Sequence, residues 1–375
     1  MNSRVIRIAA EEWRSLARNR AGLIATLLLV ALIVVSAMVS FERRAGIETE
    51  RARYQAAVDD GFDHQPARHP HRMVHYGQFV FRPLSPLAFV DFGVDSFTGN
   101  TIFLEGHRQN STNFSEARQS SLLLRFGQLT PAFVLQVLAP LLLVFLAFAS
   151  VARERERGIL RLLLAQGVSG GQLLRGKLLG HGSIAIAIGT PAFLLLAWLA
   201  ASAVAPWGAV ALLIIGYAVW LVLWAMIAVL TSALVTRSRD ALVVLIGLWM
   251  VGVILLPRAL PELAATRAVL PSRIETEIAL HRDLKQTGDA HDPGDPYFAA
   301  FKARTLARYG VSRIEDLPVQ YAGLVAVEGE RLTTALHARS ANDIEARESA
   351  QNDFVRAFGM VSPLIAVRQL SMTLT

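Results

Sequence analysis

The sequence predicts a mainly α-helical, polytopic membrane protein: five transmembrane helices and two domains outside the bilayer. Three observations carry this reading. Of the 375 residues, 53% are hydrophobic and the mean hydropathy is +0.41, above the balance of an ordinary soluble chain. The apolar residues are gathered into uncharged runs long enough to cross a hydrocarbon core. The short polar links on one side of those runs are biased to arginine, which the positive-inside rule assigns to the cytoplasm.

Residues 1–20 place Arg4, Arg7, Arg14, Arg18 and Arg20 around Val5, Ile8, Trp13 and Leu16. That pattern predicts a cytoplasmic amphipathic helix lying in the interface. Residues 21–41 are uncharged and hold eleven Leu, Ile or Val residues. Those residues alone favour insertion by about 3 to 7 kcal/mol. The run is too long for the apolar segment of a cleaved signal peptide, about 7 to 15 residues. It therefore predicts an uncleaved first span with the N-terminus inside. Residues 42–125 form a first extracytoplasmic domain. Its charged opening, 41–60, prolongs the first helix, and short strands are expected near 78–82 and 101–105. Long domains cross largely regardless of charge, so Arg43 and Arg44 do not reverse the orientation.

The second span is 126–152, with Pro131 at its start and a kink expected at Pro140. The third is 178–204, followed by the uncharged turn Ala205-Pro206-Trp207-Gly208. The fourth is 209–235; an Arg-biased return at 236–240 leads into the fifth, 241–257. Residues 258–375 form a second extracytoplasmic domain, mostly helical. Helical spacing covers 272–285, 297–309 and 320–358, with breaks at Gly310 and Pro318. Five spans that begin inside leave the C-terminus outside.

The loop at 153–177 is the most informative stretch. Arg153, Arg155 and Arg157 alternate with Glu154 and Glu156, and Gly158 ends the run. Ile159, Leu160, Leu162, Leu163 and Leu164 then give a short helix with an apolar face. Glycines at 167, 170 and 171 interrupt it, and Ser169 with Gln172 has the spacing of a capping box that restarts a helix. Arginines alone would mark a cytoplasmic loop. Acids contribute little to topology, so two interleaved glutamates need another reason, and pairing with a partner subunit supplies one.

ERERGILRLLLAQGVSGGQLLRGKLLG (154–180) resembles the loop after the second span of ABC-2 type transporter permeases, which reads roughly E-R-E-x-G-T/I-L-x-x-L with a later G-K before the third span. HYGQFVFRPLSPLAFVDFGV (75–94) and FLEGHRQN (103–110) resemble the first outer domain of a subgroup within the branch described as multi-copper enzyme maturation permease components. The resemblance implies a non-enzymatic, multi-pass subunit of a bacterial inner (plasma) membrane. It would pair with a second permease subunit, as homodimer or heterodimer, and couple through Arg153, Glu154, Arg155, Glu156, Arg157 and Gly158 to a separate ABC ATPase subunit. Such relatives close with a sixth span. Residues 358–375, with Pro363 and Arg368, are too polar for one, so the chain is expected to lack that last helix. The rival reading is a membrane-anchored envelope assembly or interaction protein that transports nothing; an ATPase that co-purifies with the chain separates the two.

Other chemistries fit poorly. Gly171 to Lys177 matches seven positions of a P-loop, but Leu178 replaces the hydroxyl that holds Mg²⁺, so ATP is expected on another chain. Asp91-Phe92-Gly93 and His281-Arg282-Asp283 spell kinase signatures in reverse order without a Gly-rich loop. His64, His69, His71, His75 and His107 suit a metal by residue type but not by spacing, and are read as a polar loop facing water. Asn110 and Asn113 head chance glycosylation sequons. No cysteine is present, which excludes disulfides and thiolate sites. The net charge of +7 sits largely at membrane ends, with no aromatic-interleaved groove for nucleic acid. No catalytic set, cofactor site or metal site is expected. Within the spans His181 is the one ionisable group of note and is read as interfacial.

Overall fold

The computed structural model describes residues 3–68, 70–73, 75–93, 99–105, 128–202, 204–290, 292 and 294–375, the side chains of residues 70 and 71 excepted. His107 and both sequons lie outside the described residues, as do His69 and the side chain of His71. Among the described residues five helices are long and apolar enough to cross a membrane: Arg20–Asp63, Pro131–Glu156, Gly170–Ala201, Trp207–Leu234 and Ser238–Arg267.

Helix α1 (Ser3–Arg18) is separated by one residue from α2 (Arg20–Asp63). Asn19 makes the corner, its side chain accepting from the Gly22 N–H at 3.2 Å. Helix α2 has 44 residues, hence about 66 Å of length, roughly twice a hydrocarbon core. The charged prolongation of the first helix is therefore present. Past α3 (Pro70–Met73), strands β1 (Gln78–Phe81) and β2 (Thr101–Leu104) pair antiparallel, Gln78 opposite Leu104, at the two expected stretches. The hairpin leans on the projecting half of α2. There Tyr54 stacks on Phe81 with centroids 6.2 Å apart, and Gln78 donates to Asp59 at 2.9 Å.

The second span opens with one turn, Pro131–Phe133, capped by the Thr130 hydroxyl. A π-turn follows, Val134–Leu138, and then α4 (Ala139–Ala147). The kink expected at Pro140 takes this wider form for a physical reason. In π register the amide of residue 140 would bond the carbonyl of Leu135, and proline has no N–H. The Trp220 indole N–H takes that carbonyl instead, at 3.1 Å. After α5 (Ala152–Glu156), α6 (Ile159–Ala165), α7 (Gly170–Ala201) and α8 (Trp207–Leu234), the last span repeats the device. Helix α9 (Ser238–Trp249) widens at Met250–Leu255 before α10 (Leu256–Arg267). Pro257 leaves the carbonyl of Gly252 without its i+5 donor, and the buried Ser362 hydroxyl supplies one at 2.6 Å.

The bundle core is formed by α4, α7 and α8, with Tyr217, Trp220, Leu143 and Ile188 almost fully enclosed. Beyond α10 the chain is helical again: α11 (Arg273–Thr287), α12 (Pro296–Tyr309), α13 (Tyr321–Ala357) and α14 (Pro363–Leu374). The first three cover the stretches of helical spacing. The Arg331 guanidinium holds the Glu328 carboxyl down to about 2, and Glu328 accepts from Tyr297, pinning α12 to α13. Helix α14 leaves that group and returns to the bundle, where it packs on α8. A buried chain of hydrogen bonds marks its seat: Gln136 to Tyr217, Tyr217 to Ser371 and Ser371 to Asp91, at 2.9, 3.0 and 2.9 Å.

Candidate functional site

At the end of the bundle that carries the 153–169 loop, α1 lies across α7 in close contact. Two glycines one turn apart permit it. A Cβ on Gly176 would stand 2.6 Å from Ile8 Cβ, and one on Gly180 would stand 3.0 Å from the carbonyl of Ala9. The face of α1 turned inward is Val5, Ala9 and Glu12, spaced by four and three residues. Two of those are small or apolar; the third brings a charge into the contact.

Glu12 meets Lys177 and His181, which sit four apart on one face of α7. Lys177 Nζ is 2.7 Å from Glu12 Oε1 and 2.5 Å from Glu154 Oε1; His181 Nε2 is 3.0 Å from Glu12 Oε2. The side chains of Lys177, His181 and Glu12 are at most 10% exposed. Burial pushes the Glu12 carboxyl up, but the His181 hydrogen bond and the Lys177 charge outweigh it and hold it below the ordinary range. Desolvation of this kind is tolerated only when each charge has a partner close at hand, and here one ammonium serves two carboxylates. The group joins three segments: α1, α5 and α7. Trp13 adds a hydrogen bond to Ser183 at 2.8 Å, and Arg4 donates to the carbonyl of Gly167 in the turn before α7.

The alternating run of the loop is divided by the same packing. Glu154 points inward to Lys177. Arg155 turns to α8 and donates to the carbonyls of Ala233 and Val235, both at 2.6 Å, closing the C-terminal end of that helix. Glu156 accepts from the Ser238 N–H at 2.9 Å and from its hydroxyl at 2.7 Å, at the start of α9. Ser232 completes the set, accepting from the N–H groups of Val151 and Ala152 at 3.0 and 3.1 Å. Arg153 and Arg157 remain exposed, and Gly158 turns the chain with φ +72°. The capping box at Ser169 and Gln172 is present as expected.

Helix α6 projects from this base. None of its residues is buried, and Ile159, Leu162 and Leu164 are 41%, 59% and 47% exposed. Among the described residues nothing buries this short apolar helix, which is held at both ends by ordered turns. Among the described residues no group of three metal-ligating side chains is close enough to hold an ion.

Sequence reasoning missed four members of the buried group or its clasp: Glu12, Lys177, Ser232 and the true setting of His181. His181 is not a side chain at the water boundary but an enclosed partner of Glu12. The signal was legible in part. Lys177 and His181 fall four apart beside glycines at 176 and 180, and Glu12 is the one charge on the apolar face of α1.

The comparisons with known proteins agree with this architecture. The family described as ABC-2 family transporter protein matches residues 6–305. A domain of unknown function, DUF3526, matches 273–375. A comparison with curated proteins finds no match. With the family covering most of the chain and five membrane-length helices in the structure, the protein is a multi-pass membrane permease component, and the chain belongs to the ABC-2 family of transporter proteins.

Proposed function

We propose that the chain is the membrane-spanning subunit of an ABC transporter in a bacterial inner membrane, with the 153–169 loop facing the cytoplasm and receiving the stroke of a partner ATPase. The single observation that supports this most is the construction of the loop. It presents an uncovered apolar helix on a base tied at once to α1, α7, α8 and α9. A force applied to α6 reaches four helices through short charged contacts, without a flexible linker between.

The six residues Arg153 to Gly158 divide the work. Arg153, Arg157 and the turn at Gly158 form the contact surface beside α6. Glu154, Arg155 and Glu156 transmit displacement to α7, α8 and α9. The N-terminal helix lies on the cytoplasmic face, and the hairpin and α11 to α13 stand on the outer side, where they receive or deliver cargo. A second permease subunit, alike or related, completes the membrane path; ATP is bound and hydrolysed elsewhere.

The test is Leu162→Asp with Leu164→Asp. Both side chains are exposed, so the pair leaves expression unchanged, and a cysteine at Thr236 remains closed to an impermeant thiol reagent in intact cells. Membrane-dependent ATP hydrolysis is lost. Full stimulation in this variant would leave the loop a topological signal and favour the reading as an assembly protein.

A further inference from the structure

We infer that the surface which receives α6 is acidic: an apolar groove rimmed by carboxylates on the partner ATPase, met by the arginines around α6. The inference rests on the coupling reading above and names the chemistry of its partner. Residues 1–20, 151–180 and 236–240 together hold twelve arginines and one lysine against five acids, which more than accounts for the net charge of +7. By sequence the loop itself reads as nearly self-neutralised. Arg153 and Glu156 are three positions apart, as are Glu154 and Arg157, the spacing of neighbours on a helix.

The structure makes neither pair. Glu154 is taken by Lys177, and Glu156 by the N–H and hydroxyl of Ser238. Arg153, Arg157, Arg161, Arg175 and Arg237 are left exposed, and among the described residues their guanidiniums make no hydrogen bond or ion pair. Beyond the spans arginine is treated differently. Six arginines between residues 273 and 356 each lie within 3.5 Å of an acid no more than four positions away. The positive-inside rule counts the cations of a loop and gives little weight to acids. It accounts for the presence of the loop arginines but not for both glutamates being drawn away from them.

Arg157 precedes the Gly158 turn and Arg161 is on α6 itself, so two unpaired cations accompany the exposed Ile159, Leu162 and Leu164. An apolar centre with a charged rim is the anatomy of a protein–protein contact. The guanidinium fork fits a carboxylate with two parallel hydrogen bonds. Anionic lipid headgroups offer the same charge, but the shape of α6 favours a groove. Leu162 and Leu164 are two positions apart, which turns them to nearly opposite sides of the helix. A membrane surface covers one side of a helix lying on it. A groove covers both.

The experiment uses the full-length permease with its ATPase in the native membrane. Arg157→Lys and Arg161→Lys keep the charge and add a primary amine. A water-soluble carbodiimide then joins an amine to a carboxylate only where the two touch. Mass spectrometry is expected to find position 157 or 161 joined to an Asp or Glu of an ABC ATPase subunit, and the exposed Lys285 on α11 not joined to it. On the purified pair, Arg157→Gln with Arg161→Gln weakens association about tenfold at roughly 0.05 M salt, and the gap closes near roughly 1 M, where charges are screened within about 3 Å. Suppose a photoreactive phenylalanine analogue at Leu162 captures the ATPase but neither lysine forms that amide. The receiving surface is then not acidic, and the inference falls while the coupling reading stands. Capture of no ATPase from position 162 removes both. A Gln pair that binds the ATPase as wild type does, yet binds phosphatidylglycerol vesicles less well, assigns the arginines to the membrane and also overturns the inference.

Discussion

Lys177 on α7 and Glu12 on α1 meet at 2.7 Å in a contact almost closed to solvent, and Glu154 shares the same ammonium. The N-terminal helix is thereby locked to the third span and to the loop that follows the second. Removing one member strands the others. Lys177→Met leaves the buried Glu12 and the half-buried Glu154 carboxylates without their shared ammonium, and the expected loss is about 3 to 5 kcal/mol, read as a fall in the thermal midpoint of the detergent-solubilised protein. Glu12→Gln retains a hydrogen bond and costs less.

The same pair sets a pH dependence. The folded carboxyl of Glu12 lies below its ordinary value of 4.5, so its contribution is present above that value and is lost as pH falls through the folded one. The difference in thermal midpoint between wild type and Glu12→Gln therefore shrinks as pH falls under about 4. A difference that grows as pH falls below about 4 would contradict the assigned ion pairs.

Two arginines of one run have opposite roles. Arg155→Ala removes both charged donors from the carbonyls of Ala233 and Val235, at a cost of about 1 to 3 kcal/mol allowing for partial exposure. Arg157→Ala, at an exposed side chain, stays within about 0.5 kcal/mol of wild type but weakens ATPase stimulation. Thermal denaturation and hydrolysis assays on the two variants should give these effects on different axes. If both variants lost only stability, the division between transmitting and contacting residues would be wrong.

The π-turn of the last span offers a cycle of two mutations. Ser362→Ala removes the hydroxyl donor from the half-buried Gly252 carbonyl, costing about 1 kcal/mol. Pro257→Ala restores an N–H able to reach that carbonyl. In the Pro257→Ala background, Ser362→Ala should cost markedly less, a coupling measured by comparing the four unfolding curves. Additive effects would mean that proline does not cause the opening.

Much of this architecture is written in local patterns. Uncharged runs mark the five spans, the Ser169 and Gln172 capping box marks the start of α7, and the stretches near 78–82 and 101–105 become the paired strands. These signals depend on neighbours a few residues apart. The buried group does not. Glu12 and Lys177 are 165 positions apart, and nothing in either segment names the other. The loop glutamates were legible as groups needing partners, but the partners of Glu154 and Glu156 lie within the chain, on α7 and at the start of α9. Helix α14 was obscured by Pro363 and Arg368, which lower its apolar character, although Leu364 and Ile365 are buried against the bundle.

The central claim is that α6 touches an ATPase. A photoreactive phenylalanine analogue placed at Leu162 tests it most directly, in the full chain within its native membrane, with Ser349 on α13 as the control. Irradiation followed by mass spectrometry is predicted to join position 162 to an ABC ATPase subunit and to leave position 349 free of it. Crosslinks from 162 to lipid or envelope proteins alone, or an ATPase captured from 349, would contradict the account.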